Sequence, residues 1–190
     1  MDDGSWRTIG LDYLYQSPWC AFRLDDVELP GGERIEYGVV EGGEFAAVVP
    51  VTCGGDVVLV RQWRQPLGAF TLELPSGGVD AGEEPDLAAS RELFEETGFR
   101  AENLQHLVSM HTSPGRSTEV CHLYRCDAVP DEQGPRPEPT EFIQVVQMPL
   151  QEARDMVSGA EITAASTVLG LLLVGGGLNW GRKQTGEPQG

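Results

Sequence analysis

The amino-acid sequence predicts a mixed α/β (α+β) domain in which helices flank a mixed β-sheet, preceded by a small β module. The 190 residues are enough for one domain of ordinary size with a short extension. A hydrophobic content of 40% is sufficient for a packed core. Segments typical of strands and of helices alternate without a regular βαβ rhythm, and this favours a mixed sheet.

The predicted amino-terminal β module covers residues 1–42. Residues 19–24 and 34–40 have the composition of strands, and a Pro-Gly-Gly turn lies between them. The main domain is expected to cover residues 43–178, and a flexible tail is expected over residues 179–190.

A β-hairpin is predicted at the start of the main domain. Residues 45–52 and 56–63 are rich in β-branched side chains, and the two residues Gly54 and Gly55 separate them. A short strand over residues 71–74 should follow, leading into a glycine-rich turn.

A helix is predicted over residues 84–97. This segment has no internal glycine and almost no β-branched residue. Pro85 falls in the first turn, where proline is tolerated, and Gly98 supplies a stop signal.

The second half of the chain is predicted to add strands, a loop and two helices. The strands cover residues 104–111, 120–127 and 142–147, the proline-rich loop covers 131–140, and the helices cover 150–158 and 161–174. The apolar stretch 162–178 is short for a membrane span, with polar residues at one end and glycines at the other. We therefore expect a buried terminal helix and no membrane partner.

Charge and cysteine spacing limit the classes of partner and compartment. The formal net charge of -17 argues against binding to nucleic acid or to anionic membranes. The four cysteines have no zinc-binding spacing, and the first ten residues lack the apolar core of a signal peptide. A reducing, cytoplasmic location is the resulting expectation.

Three glutamates are predicted to share one face of the helix over residues 84–97. Glu92, Glu95 and Glu96 stand at positions i, i+3 and i+4. Like charges at this spacing cost about 0.2–0.5 kcal/mol per pair, and the helix dipole disfavours acids near the carboxyl end. A divalent cation would reverse both penalties, and oxygen ligands of this type suit Mg²⁺ or Mn²⁺.

A solvated acidic surface is the alternative explanation for these glutamates. Two neighbouring features favour a metal site instead. Arg91 is four residues before Glu95 and can pair with it. Gly77, Gly78 and Gly82 allow the backbone to approach a ligand or metal closely.

Residues 77–99 resemble the Nudix box, G-x5-E-x7-R-E-U-x-E-E-x-G-U (U is a bulky apolar residue), at every fixed position. The resemblance implies a Nudix-type α/β/α sandwich with a mixed sheet. It also implies an enzyme that uses Mg²⁺ to hydrolyse the pyrophosphate bond of a nucleoside diphosphate derivative.

The resemblance further implies roles for the side chains of the box. Glu92 and Glu96 are expected to be the principal metal ligands, with Glu95 and the carbonyl of Ser76 as further ligands. Arg91 is expected to orient these glutamates. Glu83 would support that arrangement or contact an additional metal.

Residues before the box are similar to those of ADP-ribose pyrophosphatases. The run Glu73-Leu74-Pro75-Ser76-Gly77 resembles their E-[LI]-P-[AS]-G entry, and residues 61–64 resemble the preceding strand. Arg64 would then face the diphosphate, because a guanidinium holds phosphate oxygens bidentately. Glu73, Gly77 and Trp63 are the other predicted substrate-binding residues, although tyrosine or phenylalanine is usual at the position of Trp63. A pair between Arg64 and Glu73 or another acid is an equally weighted alternative.

A loop after the box carries a further candidate. Residues 113–119 are similar to the S-P-G-x-x-x-E loop of the same subgroup, and Glu119 would be its general base or an additional metal ligand. An exposed loop acid is the alternative. A loop could also close over substrate.

ADP-ribose is the leading substrate, and related enzymes use their β module to form an intertwined homodimer. Trp19, Phe22 and Trp63 are candidate surfaces for stacking a base, although such aromatics are more often core residues. Other nucleotide sugars such as GDP-mannose, a pathway-specific nucleotide, and a catalytically silent ligand sensor remain open as alternatives.

Overall fold

The computed structural model describes residues 4–136, 142–174 and 176, so the predicted tail at 179–190 lies outside the described residues. Its first sheet has three antiparallel strands, β1 (Arg7–Gln16), β2 (Cys20–Glu28) and β3 (Arg34–Gly42). The predicted module of two strands therefore contains a third, β1. Its alternating Ile9, Leu11 and Tyr13 carried a period-two signal that the prediction missed. The division at residue 42 stays a prediction.

The second sheet has seven strands. They are β4 (Glu44–Thr52), β5 (Asp56–Arg64), β6 (Ala69–Glu73), β7 (Ser76–Gly78), β8 (Phe99–His111), β9 (Val120–Pro130) and β10 (Gln144–Pro149). The main path runs β10-β5-β4-β9-β8, while β6 pairs with β5 and β7 pairs with β4. The β4–β9 pair is parallel and the other pairs described are antiparallel. The sheet is therefore mixed, as predicted.

The hairpin between β4 and β5 opens where the candidate site begins. The two strands pair at Val51 and Val57, next to the predicted glycine turn, in which Gly55 has a φ of 85°. Further from the turn, β6 pairs with β5 and β7 pairs with β4 instead. The prediction of a glycine-rich turn after residue 74 was therefore wrong for residues 76–78. These residues form a short strand that pairs with β4.

Three helices cover the seven-stranded sheet: α1 (Pro85–Thr97), α2 (Leu150–Ser158) and α3 (Ala165–Val174). Successive residues of β4 face opposite sides of the sheet and contact different helices. Ala46 and Val48 pack with Ala89 and Leu93 of α1. The other face of the strand belongs to the cluster that contains Leu171 of α3 and residues of α2. The result is an α/β/α sandwich.

Most predicted elements are confirmed, with corrections at their ends. Helix α2 has the predicted limits, α1 begins one residue late and α3 begins four residues late. Strand β8 begins at Phe99, directly after the helix stop, rather than at residue 104. Residues 131–136 form no strand or helix, and the rest of the predicted proline-rich loop, residues 137–140, lies outside the described residues. No helix in the described part of the chain is long and apolar enough to cross a membrane.

Candidate active site

Two of the three predicted metal-binding glutamates are buried between α1 and β7. The Glu92 residue is 9% exposed and Glu96 is 2% exposed, although both belong to the acidic face. A Glu96 carboxylate oxygen accepts the backbone N–H of Ser76 at 3.0 Å. The Glu92 carboxylate lies so close to Gly77 that a Cβ there would be 2.2 Å from the carboxyl carbon. The glycine thus admits a carboxylate that any larger residue would displace.

Arg91 connects the acidic side chains to one another. Its Nη1 lies 2.6 Å from Glu92 and 3.1 Å from Glu95. Its Nε and Nη2 donate to Glu83 at 3.0 and 2.9 Å, and Nη2 also donates to the carbonyl of Gly78 at 2.8 Å. One guanidinium therefore holds three carboxylates and the end of β7 in a fixed arrangement.

The electrostatics of this cluster favour charged side chains. Hydrogen bonds from Arg91, followed by the backbone N–H of Asp80, lower the pKa of Glu83 to about 2. Bonding to Glu83 raises the pKa of Arg91, and burial opposes this effect only in part. These groups are therefore ionised at neutral pH.

Arg64 and Glu73 form a second ion pair on neighbouring strands, in which Glu73 is buried and the side chain of Arg64 is 41% exposed. Nε and Nη2 of Arg64 donate to the two carboxylate oxygens at 2.8 and 2.6 Å. Burial raises the pKa of Glu73, but hydrogen bonds from Arg64 and Thr71 outweigh it, so the net shift is downward. The pair predicted as an alternative for Arg64 is thus present, and it does not remove Arg64 from the site.

A cavity of about 310 Å³ brings most of the predicted substrate-binding residues together. Its lining residues come from β4, β5, β6, β7, α3 and the position directly before β9, and they are Phe45, Arg64, Glu73, Ser76, Gly77, Gly78, Glu119 and Ser166. A neighbouring cavity of about 340 Å³ is lined by Trp19, Gly77, Gly78, Asp80, Arg91, Glu92 and Glu95. The two cavities share Gly77 and Gly78. Strand β7 therefore lies between the Arg64–Glu73 ion pair and the acidic face of α1.

Glu119 lies at the junction between the predicted loop and β9. Thr112 donates its hydroxyl hydrogen to the Glu119 carboxylate at 2.7 Å. The same side chain lines the cavity that contains Arg64 and Glu73. The predicted base is thus close to the predicted diphosphate-binding residues.

Comparison with known proteins identifies the family of this chain. Residues 44–166 match the NUDIX domain family, and residues 6–40 match the nucleoside diphosphate sugar hydrolase N-terminal domain. The chain belongs to the Nudix family. It is a pyrophosphohydrolase of this family, and the predicted family and enzyme class are confirmed.

The alignments with individual relatives cover most of the length of this Nudix protein. An ADP-ribose pyrophosphatase of Bacillus subtilis (strain 168) is 33% identical over 163 residues, which are 85% of this chain and 88% of the relative. A CMP-5'-(N-acetyl-N-hydroxy-3-aminopropyl)phosphonate hydrolase of Streptomyces rubellomurinus is 33% identical over 95% of this chain and 87% of its own length. A crystal structure described as an ADP compounds hydrolase superposes with a TM-score of 0.78 at 24% identity, covering 89% of this chain and 91% of that one. This last comparison confirms the Nudix fold.

The donor atoms of the Nudix box suit a divalent cation, which members of the family generally use. In the described part of the chain, no three His, Cys, Asp or Glu side chains already enclose a point where an ion would sit. Mg²⁺ does not require such a cage, because it is commonly held by one or two carboxylates together with water and substrate phosphate. The buried Glu92 and Glu96 side chains supply two carboxylates of the kind that this mode of Mg²⁺ binding uses.

Trp63 is a predicted substrate-binding residue that, like the stacking candidate Phe22, lines neither of these cavities. Its ring lies edge-on to Phe70 at 5.4 Å, and its Nε1–H donates to Gln65 at 2.9 Å. Successive strand residues face opposite sides, so the side of β5 that presents Arg64 turns Trp63 away. The structure gives this part of the prediction no support.

Three lining residues were missed by the sequence-based prediction: Phe45, Asp80 and Ser166. Phe45 reaches the site because it stands opposite Gly78 in the β4–β7 pairing. Ser166 reaches it from the start of α3. Only Asp80 had a local signal, since it lies inside the Nudix box.

Proposed function

We propose that the protein hydrolyses ADP-ribose to AMP and ribose 5-phosphate with Mg²⁺, for which Mn²⁺ can substitute. The observation that carries this proposal is that Arg64 and Glu119 share a cavity whose wall, Gly77, also contacts the buried Glu92. A cation on the acidic face and a diphosphate beside Arg64 would thus be neighbours. The similarity to the Bacillus subtilis ADP-ribose pyrophosphatase supports this choice of substrate.

The residues that would hold the cation are Glu92 and Glu96, with Glu95 and the Ser76 carbonyl as further ligands. A bound divalent ion supplies charge neutralisation for the diphosphate and makes its phosphorus more electrophilic. Arg91 keeps Glu92 and Glu95 oriented through its contacts of 2.6 and 3.1 Å. The protein therefore contributes mainly positioning and electrostatic stabilisation.

Arg64 would bind the diphosphate through its guanidinium. The two contacts with Glu73 at 2.8 and 2.6 Å fix the plane of the guanidinium, and the planar donor fork of this group suits phosphate oxygens. Glu73 thus acts by orienting Arg64. Trp63 is not needed for this step.

Glu119 would accept a proton from the attacking water. The water oxygen forms a bond to one phosphorus while the bond from that phosphorus to the bridging oxygen breaks. The bridging oxygen leaves with the other phosphate, and the proton passes to the carboxylate. The Thr112 hydroxyl holds this carboxylate in place.

Product analysis across a substrate panel tests the proposal. ADP-ribose, GDP-mannose, other nucleotide sugars and a nucleoside triphosphate are incubated with Mg²⁺, and the released nucleotides, sugar phosphates and orthophosphate are separated. We expect AMP and ribose 5-phosphate in equal amounts, and a loss of about 100-fold or more for Glu96→Gln, which removes charge with little change of size. Cleavage of another substrate with ADP-ribose left intact would contradict the proposal.

A second candidate is the cleavage of a CMP conjugate, and one observation favours it. The Streptomyces rubellomurinus relative, named as a hydrolase of such a compound, aligns with 95% of this chain. In either case the cavity would bind a diphosphate-like group. The two substrates therefore differ in their nucleobase, cytosine or adenine. Release of CMP from a CMP-phosphonate substrate at a higher rate than AMP from ADP-ribose would select this function.

We also propose that the protein forms a homodimer through its amino-terminal sheet. Strand β1 is an edge strand whose exposed apolar side chains include Leu11, Leu14 and Tyr15. Such an edge is ordinarily covered, and a second copy of the chain would cover it. Light scattering coupled to size exclusion is expected to give twice the mass of one chain, and a monomeric mass would refute the dimer.

The four cysteines are free thiols, with Cys121 and Cys126 buried. Burial raises the pKa of each of these two thiols to about 12, so both stay protonated and unreactive. We propose a cytoplasmic location for the protein, since free thiols are compatible with a reducing compartment.

A further inference from the structure

The amino-terminal sheet is joined to the loop that carries Glu119 by backbone hydrogen bonds. Val40 of β3 donates its N–H to the carbonyl of Arg116 at 2.8 Å, and Thr118 donates its N–H to the carbonyl of Val40 at 3.1 Å. Val40 and Ser117 form a parallel bridge. This bridge lies just before the parallel pairing of β4 with β9, in a different register.

Two side chains strengthen this connection at either end. The Thr118 hydroxyl donates to the carbonyl of Gly42 at 3.0 Å and accepts the N–H of Gly42 at 3.2 Å. At the other end, the hydroxyl of Tyr37 donates to the carbonyl of Gly115. Four residues of the loop, Gly115, Arg116, Ser117 and Thr118, are therefore held by one strand.

Gly42 also determines how closely β3 approaches Glu119. A Cβ placed on Gly42 would lie 2.9 Å from the Cβ of Glu119 and 3.5 Å from its Cα. These atoms belong to the rigid base of the side chain, so either strand β3 or Glu119 would have to move. The absence of a side chain at residue 42 thus allows β3 to lie this close to Glu119.

From these contacts we infer that β3 positions Glu119 for catalysis, with Gly42 and Tyr37 as positioning residues that act through the loop. The inference rests on the proposed function, in which Glu119 accepts a proton from water. It assigns to the amino-terminal sheet a part in the reaction that is separate from any role in forming a dimer.

The physical reason is the sensitivity of proton transfer to distance. A catalytic base must lie within hydrogen-bonding reach of its proton, and a displacement of about 1 Å can cost on the order of 100-fold in rate. Glu119 follows a loop that has no packing of its own in the core of the sheet. The hydrogen bonds to β3 and the Thr112 contact supply the constraint that such a loop lacks.

A matched pair of glycine substitutions tests the inference. Gly42→Ala forces β3 and Glu119 apart, whereas a Cβ on the adjacent Gly43 meets no atom within 4 Å. With ADP-ribose as substrate, we expect kcat to fall about 10-fold or more for Gly42→Ala, with KM changed by less than about twofold. Gly43→Ala is expected to keep the wild-type kcat. Equal kcat values for the two variants would overturn the inference.

A double-mutant cycle separates positioning from general damage. If Gly42 acts through Glu119, adding Gly42→Ala to Glu119→Gln causes little further loss of kcat. Independent, multiplicative losses would contradict this route of action. Thermal unfolding of each variant verifies that the compared proteins are folded.

Hydrogen exchange tests the contact without reference to activity. The amides of Val40 and Thr118 are expected to exchange slowly in the wild type and faster in Tyr37→Phe, which removes the bond to Gly115. Unchanged exchange would refute the part assigned to Tyr37. If the wild type releases no AMP from ADP-ribose while exchange behaves as expected, the proposed function fails and the connection between β3 and the loop stands.

Discussion

Gly77 is the single residue that determines how the acidic side chains of α1 lie against β7. Its missing side chain lets the backbone of β7 lie against the Glu92 carboxylate, and Glu96 accepts the N–H of the preceding residue of the strand, Ser76. A carboxylate so confined has few orientations available. The site is therefore preorganised by a contact between backbone and side chain as much as by the salt bridges of Arg91.

The first prediction concerns this contact. Gly77→Ala should lower kcat by about 100-fold, because the new Cβ would displace the Glu92 carboxylate. Gly78→Ala is the matched variant, since a Cβ there meets no atom within 4 Å and the backbone carbonyl that binds Arg91 is retained. Steady-state kinetics of both variants check the prediction, and equal losses would show that crowding at Glu92 is not the cause.

The residues of the Nudix box could be predicted from the sequence because their geometry is local. Helical periodicity alone places Glu92, Glu95 and Glu96 on one face, and Arg91 within reach of Glu95. Phe45 and Ser166 could not be predicted in this way. They line the cavity only because β4 pairs with β7 and α3 begins beside the open hairpin, and both arrangements depend on the whole fold.

At the scale of elements, helix α1 matters because both of its ends are fixed. Glu83, just before the helix, pairs with Arg91, which directly precedes the proposed metal ligand Glu92. At the other end, Gly98 has a φ of 74° and donates its N–H to the carbonyl of Phe94. The ends of α1 thus determine how its acidic face meets β7.

The second prediction concerns the pH dependence of stability. The pKa of Glu83 is lowered from an ordinary value of 4.5 to about 2. A lowered pKa stabilises the folded protein above the unfolded value, and the contribution is lost as pH falls from about 4.5 through 2. Glu83→Gln should therefore be less stable than wild type at pH 7, with the difference narrowing on acidification. Urea unfolding at pH 7, 4.5 and 3 measures this effect.

The control for this experiment is Glu132→Gln, which changes an exposed glutamate outside the cluster. Its stability relative to wild type should vary much less over the same range. A Glu83→Gln difference that stays constant from pH 7 to 3 would contradict the assigned interaction.

The third prediction concerns the carboxyl end of α1. An alanine at residue 98 would have to adopt a positive φ, and its Cβ would lie 2.7 Å from the backbone nitrogen of Pro135. Gly98→Ala should destabilise the protein by about 1–3 kcal/mol in urea unfolding. Gly159→Ala at the end of α2 is the control, because Gly159 has a φ of -81° and only ordinary contacts. Equal destabilisation of the two variants would rule out this explanation.

The elements that could not be predicted are those whose pairing is set by distant parts of the chain. Strand β7 has only Ser76, Gly77 and Gly78, which locally favour a turn, and it forms because β4 is available beside it. An irregular register within β8 places His106 and Ser109 on one side, where both hydrogen-bond in a chain that continues through His122 to Glu44. Neither the irregularity nor the cross-strand neighbours of these histidines can be deduced from their spacing in the sequence.

At the scale of the whole molecule, the two faces of the sandwich have different tasks. Helices α2 and α3 bury the apolar side of the sheet, while α1 combines an apolar contact with a charged one. The net charge of -17 repels nucleotides in general. In the proposed function, Arg64 and a bound cation would offset this repulsion for a diphosphate in the cavity beside β7. The amino-terminal sheet completes that cavity by holding the loop of Glu119.

The most direct test of this account is the position of the cation relative to the substrate. A crystal of the protein with Mn²⁺ and a non-hydrolysable ADP-ribose analogue should show anomalous density at coordination distance from carboxylate oxygens of Glu92 and Glu96. The diphosphate should contact both that ion and Arg64. An ion bound elsewhere, or a diphosphate that lies away from Arg64 and the acidic face of α1, would contradict the central claim.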